Sequence, residues 1–375
     1  MGRKDHLGNP RTFGAWKLRV LHLITTIERG GAEKQLLTLV RCQVSQGIVA
    51  SVVFLKGEPQ LKSDFQSIGV TTHDLSRFTP LRQISLISKL TKHGFDLVHT
   101  HLPRAELLFA LSQSNLPWIT TRHNSEPFLP DGPSIFSPIL SRFVLRKCST
   151  VISITEAVQS YLQKSNEVGN YKKLRVIRYG FSREKSINNQ GTKKSAIHNP
   201  VRLVTISRLV PQKDIETMLK ACAVLKSKRV KFNLKIIGEG FLRRDLEKLA
   251  QELGVEKDVD FLGRLEDPSQ VLANSDIFLL TSLYEGFGLV LLEAMQEHLP
   301  MVVCGNQATI EVLGEKYLGL TIVKDAEAIA QKIISLQDSD LRKEAISYLD
   351  SRLEDYSPEL MSKRISDLYQ ETLLD

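Results

Sequence analysis

Long apolar runs are missing from this chain. No segment approaches the roughly 20 uninterrupted apolar residues of a membrane-spanning helix, and the opening MGRKDHLGNPRTFGAW lacks the apolar stretch of a secretory signal. His6 stands where an N-myristoylation pattern needs Ser or Thr. Residues 1–16 therefore read as a polar leader, and the protein is expected in the cytoplasm. Cysteine is scarce as well: Cys42, Cys148, Cys222 and Cys304 lie far apart with no C-x-x-C pair. That pattern excludes a disulfide framework and a cysteine zinc site, and fits a reducing compartment. There is no full G-x-G-x-x-G after the first apolar run, and IIGEG (236–240) does not supply one, so a dinucleotide-dependent oxidoreductase is disfavoured. Internal repeats and low-complexity tracts are absent too.

What is present is an ordinary globular composition, 42% hydrophobic and 25% charged over 375 residues, a length that suggests two domains. The charge is unevenly spread. Residues 1–200 hold 28 Lys and Arg against 13 Asp and Glu, a balance of +15, whereas residues 201–375 hold 22 against 29, a balance of −7. A basic half points to an anionic partner, whether nucleic acid, an anionic membrane surface or a phosphorylated substrate, unless it is only a solvated surface.

Along the chain, LRVLHLI (18–24) reads as a strand, followed by the Gly30-Gly31 turn and an amphipathic helix through AEKQLLTLVRCQVSQG. SVVFLK, GVTTHDL, DLVHTH, PWITTRH and TVISIT follow as strands, most of them separated by helical stretches. A second series runs VRLVTIS, FNLKIIGEG, VDFLGR, DIFLLTS and PMVVCG, with helices TMLKACAVLKSK and RRDLEKLAQELG between. Such alternation predicts an α/β protein of two Rossmann-like, doubly wound parallel sheets. The expected organisation is a first domain over 17–184, a linker over 185–200 within the polar SREKSINNQGTKKSAIHNP, and a second domain over 201–355. A helix over 356–375 is expected to pack back on the first domain.

The chemistry concentrates in TSLYEGFGLVLLEAM (281–295). Gly286-Phe287-Gly288 follows the strand DIFLLTS and opens an apolar helix, so it presents a helix N-terminus at the carboxyl edge of a sheet, where open α/β sheets bind ligands. Backbone N–H groups there suit a phosphate. Glu285 and Glu293 would repel a phosphate and instead accept hydrogen bonds from neutral hydroxyls flanking it. A phosphate between two sets of hydroxyls describes a nucleotide sugar. SRLVPQKD (207–214) supplies Arg208 and Lys213 to neutralise the diphosphate.

SRLVPQKDIETMLKA, IIGEG, FLGR and SLYEGFGLVLLEAM, in that order, resemble the donor domain of a family 4 glycosyltransferase of the GT-B fold, with the E-x7-E pair Glu285 and Glu293 the most specific mark. RGGAEKQL and ITTRHN extend the resemblance over nearly the whole chain beyond the leader. It implies two domains facing a central cleft and retaining sugar transfer from a nucleotide-diphosphate sugar to a glycan, polysaccharide or lipid-linked acceptor. By the same resemblance Glu293 grips the ribose and Glu285 a hydroxyl of the sugar. The amides of Phe287, Gly288, Leu289 and Val290 lie against sugar and diphosphate, Arg208 and Lys213 stabilise the leaving group, and His123 faces the donor sugar. Gly30 and Gly31 approach the diphosphate, and the loops at Gly238 and Gly263-Arg264 border the base.

No metal and no other cofactor is implied. The D-x-D at Asp338-Ser339-Asp340 falls in a polar turn far downstream, which disfavours the metal-dependent glycosyltransferase fold. His99 and His101 alternate to one strand face as metal ligands would, but no third ligand is near in sequence, and they read as structural or acceptor-side residues. No nucleic-acid partner is expected; the basic half is expected to meet an anionic membrane at its inner face. Two departures stand out: RYGFSRE replaces the family's Asn-Gly-Val-Asp turn, for which no role is then expected, and GNQATIEV places Glu311 near the family's next glutamate with an extra loop residue. The alternatives are a phosphorylase of the same fold, since paired carboxylates also serve glycoside cleavage, and a non-catalytic nucleotide-sugar-binding subunit.

Overall fold

The computed structural model describes residues 17–92, 94–129, 136–181 and 197–374, so the polar leader and most of the expected linker lie outside the described residues. The chain forms two compact units, Met1–Ser182 together with Tyr356–Asp375, and Arg183–Asp355.

In the first unit seven strands form one parallel sheet: β1 (Arg19–Ile24), β2 (Val49–Phe54), β3 (Thr71–Asp74), β4 (Leu97–His101), β5 (Trp118–Arg122), β6 (Thr150–Ser153) and β7 (Leu174–Val176). The spatial order is β3-β2-β1-β4-β5-β6-β7. Helices pack on both faces of such a sheet, so central strands read as continuous apolar runs. β4, LVHTH, breaks that rule, with His99, Thr100 and His101 all buried. The register sets His22 of β1 directly beside His99. The helix Pro358–Leu374 belongs to this unit: Met361, Ile365, Leu368 and Tyr369 join Val20, Leu39, Leu97, Ile119 and Ile152 in one core. At about 1.5–3 kcal/mol for each fully buried apolar side chain, these contacts hold the helix on the sheet.

The second unit repeats the winding with β8 (Val201–Ile206), β9 (Phe232–Ile237), β10 (Val259–Gly263), β11 (Ile277–Leu280), β12 (Met301–Cys304) and β13 (Leu320–Thr321), in the order β10-β9-β8-β11-β12-β13. β8 and β11 are neighbours, yet the chain leaves β8 toward one edge and β11 toward the other. Their following loops diverge at that point and open a crevice at the carboxyl ends of the strands. The expected strands and helices are all found. β7 and β13 were not foreseen, being three and two residues long and too short to show a period.

Candidate active site

In the second unit the loops after β8 and β11 carry the predicted chemistry, and backbone and side-chain bonds join them. After β8 the chain makes a short turn at Pro211–Lys213 and passes through Asp214 at φ 46° into the helix Ile215–Ser227. After β11, Leu283 N donates to Gln212 O (2.9 Å), Gln212 Nε2 to Tyr284 O (2.9 Å) and Thr281 Oγ1 to Lys213 O (2.9 Å). Lys213 Nζ is then 2.5 Å from Glu285 Oε1, with both side chains largely shielded from solvent. The two residues assigned separately to diphosphate and sugar thus form one ion pair. Lys213 keeps further N–H donors beyond the one that Glu285 accepts.

Gly288 sits at φ +88°, a backbone region that favours glycine, and starts the helix Leu289–Gln296 without offering a side-chain acceptor to its first-turn amides. Phe287 is buried beneath this turn, Gly286, Leu289 and Val290 are half-buried, and Glu293 is half-buried on the helix itself. Arg208 is exposed, and its Nη2 donates to Gln212 Oε1 (3.2 Å) without an acidic partner of its own in that contact. Gly238, at φ +142°, donates from its N–H to Gly263 O (2.8 Å), and a Cβ there would stand 2.0 Å from Ser207 O. Only glycine allows the ends of β8, β9 and β10 to approach so closely, and this brings the exposed Arg264 to the edge of the same loops.

Neighbouring residues complete the account. Asn306 caps the helix Gln307–Leu313 and donates to Ser282 O (3.1 Å), tying the loop after β12 to that after β11, with Glu311 half-buried on this helix. Asp338 of the D-x-D is not in a plain turn: its side chain caps the helix Ser339–Leu353, accepting from Asp340 N and Leu341 N. A further D-x-D, Asp258-Val259-Asp260, enters β10 at its amino end, away from the carboxyl edge that carries the loops.

In the first unit Gly30 precedes the helix Gly31–Ser45, and Glu33 in its first turn is buried against the Thr26 hydroxyl, burial raising its carboxyl above the ordinary value. His123 follows β5, and both its ring nitrogens are engaged: Nδ1 lies 2.5 Å from the Tyr179 hydroxyl and Nε2 3.2 Å from His101 Nδ1. His101 Nε2 is 3.2 Å from His22 Nδ1, and His22 Nε2 is 2.9 Å from Gln43 Oε1. His99 is held by the Tyr369 hydroxyl (2.6 Å) and Thr121 Oγ1 (2.7 Å). Burial lowers all four histidines, His22 to about 4 and His123 to about 3, so the rings are neutral at pH 7. The third imidazole that the sequence did not place beside His99 and His101 is His22, one strand away. Ligating atoms of these three lie within 4.8 Å of one another, a spacing a metal would accept, but all six ring nitrogens already have protein partners.

Sequence reading also missed Tyr179, which stands in the turn for which no role was expected, and the buried charges behind His123. Arg122 Nε lies 2.8 Å from Glu106 Oε1, a charge contact rather than an aligned hydrogen bond, and Arg122 Nη1 is 3.0 Å from Glu167 Oε2. Arg122 also donates to Ser141 Oγ (2.9 Å), while Glu167 Oε1 accepts from Phe128 N (2.9 Å) and Ser137 Oγ (3.0 Å). The cluster pins the loop that begins at His123.

Two tandem doubly wound parallel sheets, with a glutamate-flanked helix start at the switch point of the second, define a glycosyltransferase of the GT-B class. Residues 29–185 match the family model Glycosyltransferase Family 4 and residues 188–351 the model Glycosyl transferases group 1, and the chain belongs to this family. It is 25% identical over 358 residues to an alpha-1,4-N-acetyl-D-galactosaminyltransferase of Campylobacter jejuni whose named acceptor is a diNAcBac-PP-undecaprenol glycan, covering 90% of this chain and 94% of that protein. It is 26% identical over 329 residues to N-acetyl-alpha-D-glucosaminyl L-malate synthase of Bacillus anthracis, covering 83% and 84%. Among solved structures, a glycosyltransferase of Rickettsia africae superposes with a TM-score of 0.79 at 19% identity over 95% of this chain and 99% of that one. Anabaena HepE in complex with UDP-glucose gives 0.77 at 21% identity over 94% and 100%.

Proposed function

We propose that the chain transfers a sugar, with retention of configuration, from a nucleotide-diphosphate sugar to a glycan or lipid-linked acceptor. The observation that carries this reading is the Lys213–Glu285 pair beside the Gly288 helix start, where the loops after β8 and β11 are bonded together. Cationic donors and helix amides suit a diphosphate, and the glutamates suit the hydroxyls on either side of it. The bond from the anomeric carbon to the phosphate oxygen breaks while the acceptor oxygen bonds the same face, and the departing phosphate takes the acceptor's proton. Arg208 and Lys213 supply the positive charge, and no metal or protein nucleophile enters. Incubation with UDP-, GDP- and ADP-sugars, scored by thermal shift and slow donor hydrolysis, tests the reading; stabilisation by none of them would refute it. Glu293→Ala is expected to weaken binding of the stabilising nucleotide roughly 10- to 100-fold, the loss of a hydrogen bond to a charged group, as read by calorimetry.

The acceptor side is proposed to meet an anionic membrane. No described helix is long and apolar enough to cross one, but the helix Phe136–Val144 turns a stripe outward: Phe136, Ile139 and Phe143 are 57%, 56% and 65% exposed. Exposed Arg142, Arg146 and Lys147 stand beside the stripe, and Lys173 Nζ, bonded to Arg146 O (3.2 Å), extends the basic rim. An apolar face edged by cations suits the interface of an anionic bilayer. Flotation with phosphatidylglycerol vesicles should recover the protein at low salt and release most of it at high salt or in F136S/I139S/F143S; equal recovery by all three would remove the membrane proposal.

A further inference from the structure

His22, His99, His101 and His123 of the first unit belong to one directional network of hydrogen bonds, and its direction is set at Gln43. A glutamine side chain is asymmetric, since its carbonyl only accepts and its amide only donates. Gln43 turns Oε1 to His22 Nε2 (2.9 Å) and Nε2 to the Tyr369 hydroxyl (3.1 Å). His22 therefore carries its proton on Nε2, and as a neutral ring it must accept at Nδ1 from His101 Nε2. His101 in turn accepts at Nδ1 from His123 Nε2, and His123 accepts at Nδ1 from the Tyr179 hydroxyl. On the other branch Tyr369, having accepted from Gln43, donates to His99 Nδ1, and His99 Nε2 donates to Thr121 Oγ1. Each ring holds its proton on Nε2. No ring between Gln43 and Tyr179 can change tautomer alone without setting two N–H groups, or two lone pairs, against each other, which leaves buried polar groups unsatisfied.

We propose that Gln43 fixes the tautomer of His123 through His22 and His101, so that His123 Nδ1 presents a lone pair that accepts a hydroxyl of the transferred sugar. The Tyr179 hydroxyl and the sugar hydroxyl compete for that lone pair. A phosphate oxygen, itself an acceptor, is refused there. Gln43, His22 and His101 are positioning residues, and the sugar part of this inference rests on the function proposed above.

Nitrogen-15 NMR of histidine-labelled full-length protein at pH 7 reads the tautomers without any substrate, so its outcome is separate from that of the transfer reading. All four rings are expected neutral with the proton on Nε2; His123 protonated on Nδ1, or as an even mixture, would overturn the proposal. In Gln43→Glu the carboxylate accepts from both sides, so His99 should move its proton to Nδ1 while His22, His101 and His123 stay unchanged. In Gln43→Leu the anchor is gone, and His123 should become a tautomer mixture although both its immediate neighbours remain. A change confined to His22 would break the inferred chain, and if Gln43→Leu does not fold, the parent spectrum and Gln43→Glu still decide. With whichever of UDP-glucose and the other nucleotide sugars stabilises the protein, Gln43→Leu should raise KM in inverse proportion to the fraction of His123 still protonated on Nε2, about twofold for an even mixture, and leave the Kd of the free nucleoside diphosphate unchanged. Equal losses on both would overturn the hydroxyl-reading role.

Discussion

Glu285→Gln is expected to lower kcat about 10²–10³-fold, the range found when one preorganised electrostatic partner is removed from a transition state, with little change in the affinity for free nucleotide. The substitution keeps the shape and removes the charge. Lys213 then loses the partner that holds its ammonium 2.5 Å away, and the sugar loses a charged acceptor for its hydroxyl. Lys213→Met should cost turnover on a similar scale, because positive charge at the leaving phosphate is lost while Glu285 is left shielded and unpaired. Since the two act as a pair, the double variant should be much less impaired than the product of the single effects. Single-turnover measurement on the stabilising donor gives the three values. Multiplicative losses would mean that the ion pair does not work as a unit, and an undiminished kcat in Glu285→Gln would reject the site.

The winding was legible because each strand is a short apolar run followed by a helical period, and those signals are local. The glutamate pair was legible for the same reason: Glu285, Gly286, Gly288 and Glu293 lie in one turn and one helix. What joins distant loops was not. Lys213 and Glu285 are separated by 72 positions, and nothing in either loop says that Gln212 will bond Tyr284 and close the distance. His22 is 79 positions from His101; it meets His99 and His101 only because β1 and β4 are neighbours in a doubly wound sheet. That adjacency follows from the predicted topology, so the histidine of LRVLHLI could have been placed with DLVHTH by carrying the strand order one step further. Tyr179 gave no such signal, because a tyrosine in a turn has no period and its partner lies 56 positions back.

Arg122→Met is expected to lower the stability of the first unit by about 3–5 kcal/mol, the loss that follows when one member of a buried ion cluster is removed and the other left uncompensated. Arg122, Glu106 and Glu167 are all nearly inaccessible, and Glu106 already has its carboxyl raised by burial against the pull of Arg122. Without the guanidinium, burial acts on Glu106 with chiefly the Thr120 hydroxyl left to oppose it, and its folded-state value rises further above that of the unfolded chain. A group shifted in that direction contributes stability below its unfolded value and loses it as pH rises. The deficit in urea melts should therefore be smallest in mild acid, near the ordinary glutamate range, and grow toward pH 7. A second change, Glu106→Gln in the Arg122→Met background, removes one stranded charge and should recover part of the loss at pH 7 but little in acid. A deficit independent of pH would assign the loss to the packing of Arg122 over Phe128, whose ring centroid lies 5.0 Å from the guanidinium, rather than to charge. In either case the loop that begins at His123 is anchored through Glu167, which also accepts from Phe128 N.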